Sequence, residues 1–169
     1  MVVENTQANG RLTNKFSFFD KLFMGIGFYA VTAIGVYGIY RESVIYGLLY
    51  VGFLVFGFLV LFGYGLCAHC PHPYKHSDCL FPPFGQLFTK MYKFRPEPAT
   101  IIDKTAFFVI MGGIVVIPQY WLFKDYTLLA IFWIFCILTC AGFLLFECRR
   151  CRNVNCPFNM AKQGSVNGA

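Results

Sequence analysis

The chain has 169 residues, of which 57% are hydrophobic and 13% charged, with 21 phenylalanines and a formal net charge of +6. A soluble domain carries about 25% charged residues, so this shortfall, with a mean hydropathy of +0.58, points to lipid and away from an ordinary water-soluble core. No nucleic-acid partner is expected, because the basic residues do not cluster as a groove on a soluble fold, and the length allows one compact domain.

In chain order, residues 1–21 form a polar N-terminal tail. Four apolar runs of about 18 residues or more then read as spanning helices: Leu22 to Tyr40, Val44 to Leu66, Thr105 to Phe123 and Tyr126 to Phe146. None has a charged residue in its interior, and helices are expected because lipid offers no partner for free backbone groups. The first run is too long for a signal-peptide core and lacks a small-residue cleavage site before Arg41-Glu42, so a retained helix is expected. The links at 41–43 and 124–125 are short, so residues 22–66 and 105–147 form two antiparallel hairpins.

Between the hairpins, residues 67–104 hold six of the eight prolines, which break helices and fix turns. Within this loop "FGQLFTKMYKF" places Phe84, Leu87, Phe88 and Met91 on one helical face and Gln86, Thr89, Lys90 and Lys93 on the others. That pattern predicts a short helix in the headgroup layer, apolar side towards the lipid, or covering the bundle end. Residues 148–169 form a Cys-rich C-terminal segment. Of the 14 lysines and arginines, all but Arg41 and Lys124 fall in the tail, the long loop or this segment. The positive-inside rule then places both termini and the loop in the cytoplasm.

The two halves repeat the same marks. Asp20-Lys21 is followed by 19 residues and Arg41-Glu42, then 24 residues and C-A-H-C. Asp103-Lys104 is followed by 19 residues and Lys124-Asp125, then 22 residues and C-R-R-C. The expected fold is therefore an all-α integral membrane four-helix bundle. It is built of two tandem hairpins about a pseudo-two-fold axis along the membrane normal, with both CxxC motifs on one face.

The stretch "LCAHCPHPYKHSDC" holds all three histidines and three of the eight cysteines. Cys136 and Cys140, one turn apart in the fourth span, read as small packing residues. The other six sulfurs sit at the expected cytoplasmic face, where clustered thiols more often bind metal or do redox chemistry than form stable disulfides. Two CxxC knuckles supply a tetrahedral set, so Cys67, Cys70, Cys148 and Cys151 are the candidate metal ligands. Cys79, Cys156, His69 and His72 are further candidates, although His69 and His72 also read as surface residues beside a knuckle. Zinc and iron both remain open. The segment "CRRCRNVNCP" resembles, over ten residues, the cysteine motif that ends in Cys-Pro in ferredoxins, with one gap lengthened. That resemblance implies an iron–sulfur cluster as the iron form.

No catalytic constellation is found, and Glu147 and Asp78 read as plain neighbours of cysteines. The expected role is a small accessory or docking subunit of a larger membrane complex, holding a cytoplasmic zinc or iron centre. An electron-transfer subunit linking a soluble enzyme to membrane quinone is the alternative. A thiol–disulfide membrane protein is the third reading: four spans and two cysteine pairs resemble the quinone-coupled disulfide-forming family, but that family keeps its cysteines on the exported face. Transport is disfavoured, because the spans hold no charge or histidine.

Overall fold

A computed structural model describes residues 15–75, 78–80 and 84–151. Among them the secondary structure is helical, with no strand. Four helices are long and apolar enough to cross a membrane: α1 (Phe18–Glu42), α2 (Val44–His69), α5 (Ile101–Leu122) and α6 (Tyr126–Arg150). Two short helices lie between the hairpins, α3 (Pro71–Lys75) and α4 (Phe84–Met91).

Helices α1 and α5 begin four residues before the apolar runs do, and the reason is the same in both. Ser17 caps α1 by accepting from the Asp20 amide, while the Asp20 carboxylate accepts from the Ser17 amide. Thr100 and Asp103 make the same reciprocal pair at the head of α5. Such a capping box satisfies donors that an uncapped first turn leaves open, so the polar Asp-Lys dipeptide is drawn into the helix. In each case two apolar residues follow the cap and point outward: Phe18 and Phe19, and Ile101 and Ile102.

Helix α1 packs against α2 and α6, and α2 packs against α5. Small residues allow the close approaches, as is usual where helices meet in an apolar medium. Gly27 faces Thr139, Gly142 receives Phe23, Gly57 receives Ile110 and Gly113 receives Phe53. A Cβ at Gly65 would sit 2.9 Å from the Asp103 carbonyl, so glycine there lets α2 touch the head of α5 backbone to backbone. The core runs through Phe58, Phe62, Phe88, Phe107, Ile110 and Phe132.

At the short links the two hairpins exchange charges. Arg41 pairs with Asp125 at 3.1 Å, and Lys124 pairs with Glu42 at 2.6 Å. Asp125 also caps α6, accepting from the Thr127 and Leu128 amides. The Leu128 amide is the strongest influence holding its carboxyl below the ordinary value, and Arg41 adds to it.

Backbone irregularities in α2 and α5 are each met by a tyrosine. Pro118 has no N–H, so it leaves the Ile114 carbonyl without its helical donor. Tyr50 of α2 donates to that carbonyl at 3.0 Å, and Gln119 Nε2 donates to Val115 at 2.8 Å. Helix α2 widens to π geometry over Gly57–Phe62, and the Leu59 carbonyl inside that segment accepts from Tyr92 at 2.9 Å. Helix α6 has a similar π segment at Phe143–Glu147.

The outward faces stay apolar. Ile45, Leu48, Leu49, Phe56, Ile134 and Ile137 are among many large side chains left exposed. Soluble monomers rarely expose contiguous apolar patches above a few hundred Å², and each Å² left in water forgoes about 25 cal/mol. These faces are suited to lipid contact.

Candidate functional site

The polar and thiol side chains collect at the end of the bundle away from the short links. There α2 closes in a tight turn, Cys67–His69. Cys70 is extended (φ −87°, ψ 123°), as a residue before proline tends to be, so the chain bends and α3 folds back. This bend places His69 and His72 inward. The surface reading of these histidines is corrected: they are 4% and 1% exposed.

His69 is held from both sides. Its Nδ1 lies 2.8 Å from the Glu97 carbonyl, and its Nε2 faces Asp103 Oδ2 at 3.4 Å. Arg95 approaches the other carboxylate oxygen of Asp103 at 3.7 Å and stacks over Tyr64 at 4.8 Å. The Arg95 amide donates to Ala68 at 2.8 Å. Asp103 therefore caps α5, faces an imidazole and meets a guanidinium, all while 4% exposed. Nδ1 is engaged by the Glu97 carbonyl, while Nε2 faces Asp103 without a hydrogen bond to it, so His69 joins the Glu97 segment to the head of α5.

His72 sits in a second cluster. Its ring packs 4.9 Å from Phe16, and its carbonyl accepts from the Asp78 amide at 3.3 Å. Asp78, also buried, accepts from the Phe16 amide at 2.7 Å and pairs with Lys21. The far side of the ring meets the other half of the protein, where Cys151 Sγ lies 3.7 Å from His72 Nε2.

Cys67 and Cys148 are buried, and Cys70, Cys79 and Cys151 half-buried. Cys79 and Cys70 lie within electrostatic range of Cys67, Cys79 the more strongly felt. Cys79 packs on Gly85, which has no side chain to displace it. Tyr74 borders this group: burial first, then Cys67 and Cys70, push its phenol above the ordinary value, and its hydroxyl donates to the Tyr92 carbonyl at 2.9 Å. Glu147 is buried, within electrostatic range of Asp20 and Arg150. Cys136 is buried, and Cys140 is exposed on the outer face of α6. Cys156 and His76 lie outside the described residues.

The described residues thus bring Cys67, Cys70 and Cys79 into one neighbourhood and set Cys151 against His72. Among the described residues no three histidine, cysteine or acidic side chains group as a metal site. The donors present are thiols and an imidazole, the soft and borderline ligands of zinc and iron. Sequence reasoning missed Asp103, Arg95 and Lys21 as members of the site. Asp103 had a local signal, since Thr-x-x-Asp before an apolar run is a capping pattern. Arg95 and Lys21 had none, because their partners lie in distant segments. No family model, curated protein or solved structure matches this chain.

Proposed function

We propose that this chain is a small multi-pass membrane subunit whose thiol-rich cytoplasmic end holds a cysteine-ligated zinc or iron centre and docks a larger membrane complex. Its two hairpins are tandem copies with both termini inside. The duplicated capping boxes support the tandem reading, as do the crossed ion pairs, in which the basic member of each tip meets the acidic member of the other. The charge bias supports the orientation.

One observation carries the metal reading, the 3.7 Å approach of Cys151 to His72. Two ligands bound tetrahedrally at zinc, sulfur at about 2.3 Å and nitrogen at about 2.0–2.1 Å, stand about 3.6 Å apart. The pair also joins the CxxC motif of one half to the loop that follows the CxxC of the other. His72 accordingly enters the ligand set beside Cys151, and two of the thiols of Cys67, Cys70 and Cys148 complete a four-coordinate site. A bound metal would supply a cross-link between the halves in its zinc form, and a one-electron couple in an iron form.

Metal analysis with a visible spectrum, on protein purified without oxygen in mild detergent, tests this. About one equivalent of zinc and no colour is the outcome for a structural centre. Iron with an absorption band that bleaches on reduction points to electron transfer, with quinone as the next ligand to try. Cys151→Ser and His72→Ala should each lose the metal, and His69→Ala should keep it because its ring faces Glu97 and Asp103 rather than the thiols. Full metal content in both Cys67→Ser and Cys148→Ser would sink the shared centre, and an absence of metal would return attention to thiol–disulfide exchange.

A further inference from the structure

The helix α4 divides its apolar residues between two directions. Phe88 is buried against Gly63 and Phe58 of α2, and Phe84 packs edge-on to Phe58. Leu87 and Met91 are left outside at 40% and 47% exposure. Lys90 lies on this same outer side, between them in sequence and one helical turn from Leu87. Lys90, Lys93 and Lys104 are all exposed and take part in no ion pair among the described residues. The four charges at the opposite end, by contrast, are all paired.

The height of α4 along the bundle follows from helix length. At about 1.5 Å per residue, the 26 residues of α2 reach about 39 Å, while a hydrocarbon core is about 30 Å thick. With the charged links marking one boundary, α2 overshoots the other by about 9 Å, or about six residues. Counting back from His69, the second boundary falls at Gly63, the residue that Phe88 packs against. Tyr92 fixes the level by its hydrogen bond to the Leu59 carbonyl. The buried polar groups His69 and Cys67 lie beyond this boundary, where water and headgroups can reach the bundle end.

We propose that the outer face of α4, with the chain just after it, is a docking surface for anionic phospholipid, with Leu87 and Met91 entering the acyl boundary and Lys90 and the exposed Lys93 beyond the helix end taking headgroup phosphates. The proposal rests on the membrane reading above. The partner follows from charge: unpaired lysines beside exposed apolar side chains at the headgroup level complement a negative surface. Each such lysine contributes about fivefold in affinity, and the contribution weakens with salt.

The test is lipid retention by the full chain in mild detergent, read by native mass spectrometry. The protein is titrated with phosphatidylglycerol or phosphatidylcholine in mixed micelles, as wild type and as K90Q/K93Q. The expected result is tighter phosphatidylglycerol binding by the wild type, weakened about 25-fold in K90Q/K93Q. Phosphatidylcholine binding and the melting temperature of the variant should be unchanged, showing that it folds. Equal binding of the two lipids by the wild type overturns the docking surface and leaves the membrane reading intact. A phosphatidylglycerol preference that survives in K90Q/K93Q also overturns it, assigning the preference to other cations. A chain that stays monodisperse without detergent and retains neither lipid removes the membrane reading itself.

Discussion

At the linked end of the bundle, Arg41, Glu42, Lys124 and Asp125 meet in two crossed ion pairs open to solvent. At the other end His69, His72, Asp78, Asp103 and Glu147 are all buried, partners come from at least three different segments, and Lys90, Lys93 and Lys104 make no ion pair among the described residues. The first end is a closure. Short links leave little chain to arrange, and four charges in two pairs neutralise it. The second end receives both long loop and CxxC motifs, so it has the residues and the room to build a polar interior. Exposed pairs contribute little and are screened by salt, whereas breaking a buried one leaves an uncompensated charge. The two ends should therefore respond very differently to substitution.

The largest expected effect is at Asp103. Asp103→Ala removes a cap and leaves His69 and Arg95 facing no carboxylate, at a cost on the order of 3 kcal/mol. The matching change in the other half, Asp20→Ala, loses mainly the cap and should cost about 1 kcal/mol. Thermal melting in detergent compares the two, and equal losses would break the contrast between a buried network and a simple cap. Next comes the glycine contact beside it. Gly65→Ala presses a methyl against the Asp103 carbonyl and should cost roughly 2 kcal/mol, while Gly52→Ala, with nothing within 4 Å, should be neutral or slightly stabilising.

Tyr50→Phe is smaller. It removes the donor that Pro118 makes necessary, and about 1 kcal/mol is expected. Restoring the helical N–H with Pro118→Ala should make the same Tyr50→Phe change nearly silent, a non-additivity that a double-mutant cycle reads.

The smallest effects belong to the linked end. Glu42→Lys should lower the melting point slightly at low salt, Lys124→Glu on top of it should restore it, and added salt should flatten both. Asp125 gives the pH arm. Its folded pKa is depressed, so its stabilisation is complete above the ordinary carboxylate pKa and is lost as pH falls through the depressed one. Asp125→Asn should remove that acid-range component of the melting curve and leave the rest.

Much of the scaffold was readable because its signals are local. Apolar length predicts four helices, and the structure has four of that length and apolarity. The helix starts at Phe18 and Ile101 were missed by taking polarity as a boundary, when Ser17-x-x-Asp20 and Thr100-x-x-Asp103 are polar and helical together. The helix at Phe84–Met91 was readable from its periodicity, but not its division of labour, because periodicity cannot say which apolar residues another helix will take. Burial of His69 and His72 was illegible for a similar reason. It depends on Glu97, Asp103 and Phe16, which lie 28, 34 and 56 residues away in sequence.

The crossed charges have a consequence for assembly. A link of order basic–acidic that binds its counterpart crosswise can equally bind a copy of itself, since Arg41 of one copy would find Glu42 of the next. In the duplication reading each hairpin carries its own address, and the covalent loop only raises the local concentration of a partner that was already specified. Two separately expressed pieces, divided within the 76–83 segment, should then find each other in one membrane and copurify. Reversing the charges of a single link should weaken their copurification only slightly, and reversing both should restore it.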